Sequence, residues 1–343
     1  MTRSVPITTA VSDDDLVRVV DTWLAREGRR TSVVALRRRS WEYATSALLE
    51  LVTTTEDDGT ERHLVLKHLG RHTLTEKARR AKPSFAIDPQ REIEVYRRIL
   101  APLHVGPGLV GFSISPQRGP HWLLIEHVPG FRLSEAGEVG VWMAVARWLG
   151  ALHQRLATFD SQQSREQARL IEYDRRWYTA WLNRALRFFA AEDPSQSRRS
   201  RDALKWLAAR YERVIERLTS IPSTVIHGEF YPENIVVAGT ADSPLVCPVD
   251  WEMTAIGPGI IDLAALTSGQ WSEEHRRAVM AAYAAGSALR AGTTLDELAE
   301  SVEYANIHLA VQWLGWFGRR RTQPAHAQDW LADAVGRAEA LRL

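Results

Sequence analysis

The sequence predicts an α+β protein of two lobes: a strand-rich amino-terminal lobe with one intervening helix, and a mainly helical carboxy-terminal lobe. Three observations carry that expectation. The chain has 343 residues, more than one hydrophobic core usually holds. Up to about residue 127, short runs rich in Val and Leu alternate with turn residues, whereas beyond it long segments of helical period dominate. Between them Pro129-Gly130 breaks both patterns. The expected lobes are therefore 1–127 and 128–343.

Each element has its own signal. Ser12 ahead of Asp13, Asp14 and Asp15 is a helix start, and Leu16, Val20, Trp23 and Leu24 then recur at helical spacing, predicting a helix to about Glu27. The runs 31–36, 46–53 and 63–68 read as antiparallel strands, the last two joined by the turn Asp57-Asp58-Gly59. After a basic, proline-broken segment come a helix over 89–100 and strands over 108–114 and 122–127. In the second lobe helices are expected over 141–156, 173–191, 199–218, 275–290, 295–317 and 328–341. Only 224–250 interrupts them, with short apolar runs and turn residues that read as a hairpin.

Composition excludes several classes. A net charge of +1 argues against a dedicated nucleic-acid binder, which carries a basic excess on one surface. A lone cysteine, Cys247, rules out an intramolecular disulfide framework and any multi-cysteine metal site, and its apolar surroundings make it a buried small hydrophobe. No apolar run approaches the roughly 18 residues of a membrane span, and the first residues lack the apolar core of a secretion signal, so a cytoplasmic protein without a membrane partner is expected. The 13 tryptophans are read mainly as core.

The densest chemistry lies in His227-Gly228-Glu229-Phe230-Tyr231-Pro232-Glu233-Asn234, followed by Val249-Asp250-Trp251. An apolar strand presents a carboxylate, an amide follows five residues later, and a second carboxylate sits sixteen beyond the amide. Phosphoryl transfer uses this set: one carboxylate orients the attacking hydroxyl, while the amide and the other carboxylate hold magnesium against the phosphates. Upstream, Lys67 ends an apolar strand and Glu92 opens a helix, as a phosphate-contacting lysine and its positioning partner would. Glu94 competes for that partnership, but it lies about 200° around the helix, and Glu92 is preferred because it leaves Tyr96 and Ile99 on the core side.

These residues resemble the aminoglycoside phosphotransferase family, related to choline kinases and more distantly to protein kinases. The family's His-Gly-Asp loop ending in Asn matches His227 to Asn234, its Asp-Trp or Asp-Phe metal motif matches Asp250-Trp251, and its Asp before Leu-Ala matches Asp262-Leu263-Ala264. The resemblance spans roughly 30–320 and implies a kinase-like fold, ATP or GTP with Mg2+ as cofactors, and a small hydroxylated acceptor. It implies magnesium at Asn234 and Asp250, phosphate contact by Lys67, and structural support of the loop by His227 and Asp262. Glu126 to Val128 reads either as an edge strand or as the linker whose backbone would bond adenine.

Two departures stand out. Glu229 occupies the position of the family's catalytic Asp with one methylene more. The loop Arg37 to Thr45, which would cover the phosphates, has no glycine to let backbone amides approach, leaving the hydroxyls of Ser40 and Thr45 as substitutes. These departures keep open a non-kinase use of the fold: an ATP-independent lyase or cyclase using Glu229, or a binding module without turnover. A zinc-deaminase reading of His227-x-Glu229 fails, since it needs a Cys-x-x-Cys pair.

Overall fold

Helix α1 (Asp13–Arg26) begins where the Asp15 N–H donates to Ser12 Oγ at 3.1 Å, with Asp13, Asp14 and Asp15 against the positive end of the helix dipole. Its buried residues Leu16, Val20, Trp23 and Leu24 lie on one stripe. The computed structural model describes residues 11–41, 47–114, 121–157, 162–191, 194–240, 243–269, 271–287, 292–317 and 329–343. The chain divides into two units, Met1–Pro129 and Gly130–Leu343.

In the first unit, α1 is followed by β1 (Val33–Ser40), β2 (Leu49–Glu56), β3 (Glu61–Leu69), α2 (Glu76–Ala81), α3 (Arg91–Val95), a π-helical turn (Tyr96–Leu100), α4 (Ala101–Leu103), β4 (Leu109–Ser113) and β5 (His121–Glu126). The strands form one antiparallel sheet in the order β1-β2-β3-β5-β4. Alternation of side chains separates its two faces. On one face Val52, Leu64, Leu66, Trp122 and Leu124 pack against Leu16, Val20, Trp23 and Leu24 of α1, forming the core of this unit. The same face carries a buried polar knot. Arg38 donates to both Glu50 oxygens at 2.8 Å, and His68 Nε2 lies 2.6 Å from Glu50. Burial alone would raise the Glu50 carboxyl, but hydrogen bonds from His68 and Arg38 outweigh it and bring it down to about 2. The opposite face presents Lys67.

The second unit contains β6 (Phe131–Arg132), α5 (Val139–Leu156), α6 (Gln162–Gln167), β7 (Ile171–Glu172), α7 (Arg175–Ala190), α8 (Pro194–Ala208), α9 (Tyr211–Ser220), β8 (Ser223–Ile226), β9 (Ile235–Thr240), β10 (Ser243–Pro248), β11 (Ala255–Pro258), α10 (Ile260–Leu266), α11 (Glu273–Gly286), α12 (Leu295–Phe317) and α13 (Trp330–Ala340). Two small sheets, β10-β9-β6 and β7-β11-β8, are set among the helices. Helices α5 and α11 touch at backbone distance, since a Cβ on Gly150 would stand 2.4 Å from the Tyr283 carbonyl.

One expectation is corrected here. The single helix expected over 199–218 is two, α8 and α9, broken at Ala209-Arg210. Arg210 explains the break: its guanidinium lies 4.2 Å from the Trp206 ring centroid, and its Nε–H donates to the Leu343 carbonyl at 3.1 Å. Those contacts turn the chain without Gly or Pro. The basic, proline-broken segment, to which the sequence assigns no element, holds α2, whose first turn is capped where the Ala78 N–H donates to Thr75 Oγ1.

Candidate active site

The loop after β8 is fixed from beneath. Asp262, fully buried on α10, accepts the N–H of His227 at 2.7 Å and that of Gly228 at 2.9 Å, one on each carboxylate oxygen. His153 of α5 reaches the same carboxylate through Nε2 at 3.2 Å and Tyr283 Oη of α11 through Nδ1 at 3.0 Å. Gly228 adopts φ +83°, and a Cβ there would lie 2.3 Å from the Met253 carbonyl, so the loop requires glycine. The His227 ring is locked between two partners. Its Nε2 lies 2.9 Å from the Val249 carbonyl, which only accepts, and its Nδ1 accepts the Glu229 N–H at 3.3 Å. That pair of bonds assigns the neutral Nε2–H tautomer.

Beyond the brace the backbone folds over itself. The Tyr231 N–H donates to the Glu229 carbonyl at 2.7 Å, the Asn234 N–H to Tyr231 at 2.8 Å, and the Val249 N–H to Asn234 at 2.8 Å. Asn234 Nδ2 donates to the Glu229 carbonyl at 3.0 Å, which leaves Oδ1 as the face of the amide turned to any cation. Asp250 sits in the left-handed region at φ 66°, where Asp is tolerated better than most residues, and opens the 3-10 turn Trp251–Met253. That turn brings Glu252 to the site. Oxygens of Glu229, Asp250 and Glu252 all lie within 4.8 Å of one another. An all-oxygen donor set of this kind suits a hard divalent cation such as Mg2+. Alongside, the Trp313 indole N–H donates to Tyr231 Oη at 2.9 Å; burial first, and then Glu229, keep the Tyr231 phenol protonated.

In the first unit Lys67 Nζ lies 2.5 Å from Glu92 Oε1, both residues buried. Glu94 is occupied elsewhere, by Arg97 at 2.8 Å and Arg98 at 2.7 Å. The segment ending β5 has little donor capacity left. The Glu126 N–H donates to the Gly108 carbonyl at 2.9 Å and the His127 N–H to the His63 carbonyl at 3.0 Å. Among the described residues the Val128 N–H has no backbone acceptor. Ser40 requires a correction. It pairs with Glu50 and so shares the α1 face, directed away from Lys67, while Arg39 and Trp41 take the lysine's side. Thr45 lies outside the described residues. Glu252 was not singled out as a metal ligand in the sequence; its signal is the Asp250-x-Glu252 spacing. Nor was His153, for which the sequence carries none. The acidic residues Glu273, Glu274 and Glu303 do not join the carboxylates of the site: Glu303 is held by Arg337 and Arg276, and the other two lie exposed in the first turn of α11.

A family model described as the phosphotransferase enzyme family matches residues 52–300. The chain belongs to the phosphotransferase enzyme family. It is a phosphotransferase, on the two-lobed fold of kinases. Solved structures of similar fold include the GDP and kanamycin complex of the aminoglycoside phosphotransferase APH(2"), at TM-score 0.58 and 16% identity, covering 94% of this chain and 98% of that one. An ethanolamine kinase from Plasmodium vivax aligns at TM-score 0.55 and 13% identity over 90% of this phosphotransferase and 82% of its own length. A macrolide 2'-phosphotransferase from Brachybacterium faecium aligns at 0.51 and 19% identity over 94% and 98%. At such identities the likeness is one of fold. No curated protein sequence matches this phosphotransferase. Among the described residues no helix is long and apolar enough to cross a membrane.

Proposed function

We propose that this phosphotransferase moves the γ-phosphoryl group of ATP or GTP to a hydroxyl of a small molecule, with the carboxylate of Glu229 at the acceptor. The observation that carries the reading is the convergence of Glu229, Asp250 and Glu252 oxygens on a loop whose backbone is fixed by Asp262. Asp250 and Asn234, joined by Glu252, would hold Mg2+, which when bound supplies positive charge against the phosphates of the nucleotide. Lys67, oriented by Glu92, contacts the phosphates, and the backbone of the Glu126 to Val128 segment meets the base through the Val128 N–H. The hydroxyl oxygen forms the new P–O bond as the bond from γ-phosphorus to the β-bridging oxygen breaks. Glu229 accepts the hydroxyl proton, and the nucleoside diphosphate leaves. The GDP complex of a protein of like fold is consistent with such a product.

The longer side chain of Glu229 fits this role because its loop is anchored by backbone N–H groups at His227 and Gly228, two residues and one residue before it, and not by the carboxylate itself. The decisive measurement is steady-state and binding analysis of Glu229→Gln. Turnover is expected to drop by about 10² to 10⁴ with magnesium-ATP affinity unchanged. Activity that survives without nucleotide and magnesium would point instead to an elimination or cyclisation using Glu229, and an unaffected variant would remove Glu229 from the chemistry.

A further inference from the structure

The Lys67 face of the amino-terminal sheet carries an aromatic group that the roles assigned above leave unused. Cross-strand partners share a face, so the register sorts the side chains into rows. The Trp41 N–H donates to the Leu49 carbonyl at 2.9 Å, Leu49 pairs with Lys67, and Lys67 pairs with Leu123, making one row. Arg39, Leu51, Val65 and Ile125 make the next. Arg37, Thr53 and His63 make the third, to which His127 belongs through its N–H bond to the His63 carbonyl. Along β3, the first and third rows stand about 13 Å apart by strand rise.

The Trp41 indole does not stay with its own row. Its centroid is 5.3 Å from that of the His127 ring, at a tilt of 60°, and His127 in turn meets His63 edge-on at 6.3 Å. Arg39 stands behind the indole, its guanidinium carbon 6.0 Å from the ring centroid. Burial first, and His63 second, hold the His127 imidazole below its ordinary value, so it is a neutral flat ring at neutral pH. A ligand gripped at one end by Lys67 and at the other by the backbone beside His127 has to lie along the strip between the first and third rows, over Leu51, Val65 and Ile125. That strip ends at two flat rings, Trp41 and His127.

We propose that Trp41 is the base-stacking residue of the nucleotide site, the purine lying against its indole beside the His127 ring. The inference rests on the nucleotide reading above and adds to it a residue outside that assignment. It also accounts for the missing glycines. Residues 37 to 45 offer no glycine through which backbone amides could close on the phosphates. Ser40 faces the other way, so the affinity lost at the phosphates is supplied at the base. Stacking tolerates any base with a π-face, so it serves ATP and GTP alike.

Calorimetric titration of the full chain, Trp41→Ala and Trp41→Phe with magnesium-ATP, magnesium-GTP and magnesium tripolyphosphate tests this. The last probe carries the phosphates without base or ribose. Trp41→Ala is expected to weaken both nucleotides by about 5- to 150-fold, the range for one stacked base. Trp41→Phe should keep most of the affinity, and tripolyphosphate should bind all three proteins equally. Unchanged nucleotide affinity in Trp41→Ala, or tighter binding showing that the indole merely blocks the strip, overturns the stacking role and leaves the nucleotide site intact. A uniform loss for tripolyphosphate as well places Trp41 at the phosphates and overturns it too. Absence of nucleotide binding by the unaltered chain overturns this inference together with the functional reading.

Discussion

Asp250 holds a left-handed backbone with a carboxylate, and the left-handed region is one that Asn tolerates as readily as Asp. Asp250→Asn therefore keeps the backbone and the volume and removes only the charge. Magnesium-ATP affinity is expected to fall by about 10- to 100-fold while the thermal midpoint stays within a degree or two, on the scale of perturbed metal sites; equal affinity in the folded variant would take Asp250 out of the cation site. A second prediction concerns His308 on α12. Its Nδ1 lies 2.9 Å from Tyr211 Oη, its Nε2 has no protein partner among the described residues, and burial pushes the imidazole down to about 3. Because the folded value is depressed, the unfolded chain binds the proton first. Stability is complete above about pH 6.5 and is lost as pH falls toward 3, by as much as roughly 5 kcal/mol. Urea midpoints measured from pH 7 to 4 should drop for the parent and flatten for His308→Gln; parallel curves would exclude His308. At this scale the sequence is legible where order alone decides, as for Lys67 and Glu92. It is opaque where one torsion decides. That Glu252 joins Asp250 depends on the sign of φ at Asp250, and that Trp41 reaches His127 depends on where the chain turns after β1.

Helix α5 illustrates how an element carries a site it does not contain. Its His153 supports Asp262, and its Gly150 lets α11 approach until Tyr283 can reach the same imidazole. Gly150→Ala would put a methyl group 2.4 Å from the Tyr283 carbonyl, so the two helices must part. The expected cost is about 1 to 3 kcal/mol, seen as a lower thermal midpoint, with turnover falling more than nucleotide affinity because the His227 loop loses its brace. An undiminished midpoint would show that the contact relaxes freely. Among elements, long periodic helices such as α12 and the α1 stripe are readable because hydrophobic spacing fixes both type and face. The break between α8 and α9 is not, since Ala208-Ala209-Arg210-Tyr211 contains no helix breaker and the periodic pattern runs through it. Short strands such as β6, β7 and β11 are equally hidden, because two to four residues carry no period.

For the molecule as a whole, a ligand that binds only the folded chain raises its apparent stability by mass action. Magnesium-ATP at about 100 times its dissociation constant should add about 2.7 kcal/mol, seen as a rise in thermal midpoint that chelation of the metal reverses. A shift that persists in excess chelator would mean that the nucleotide binds without the carboxylates of the second unit. The division into a sheet-bearing and a helical part was legible from the change of hydrophobic period near residue 127, a property of long stretches rather than of single residues.

The π-helical turn Tyr96–Leu100 also sets how the chain tolerates changes of length. Such a turn amounts to one residue inserted into an α-helix. Upstream of it lies Glu92, and within it Tyr96, Ile99 and Leu100 are buried anchors. An i→i+5 turn closes over five residues where an α turn closes over four, so deleting one residue here would restore a regular helix while Glu92 and the residues beyond the turn keep their relative azimuth. The Lys67–Glu92 pair would survive such a deletion. Homologous chains can therefore be aligned across this helix with a one-residue gap wherever the extra residue is missing, the acid staying at the position of Glu92.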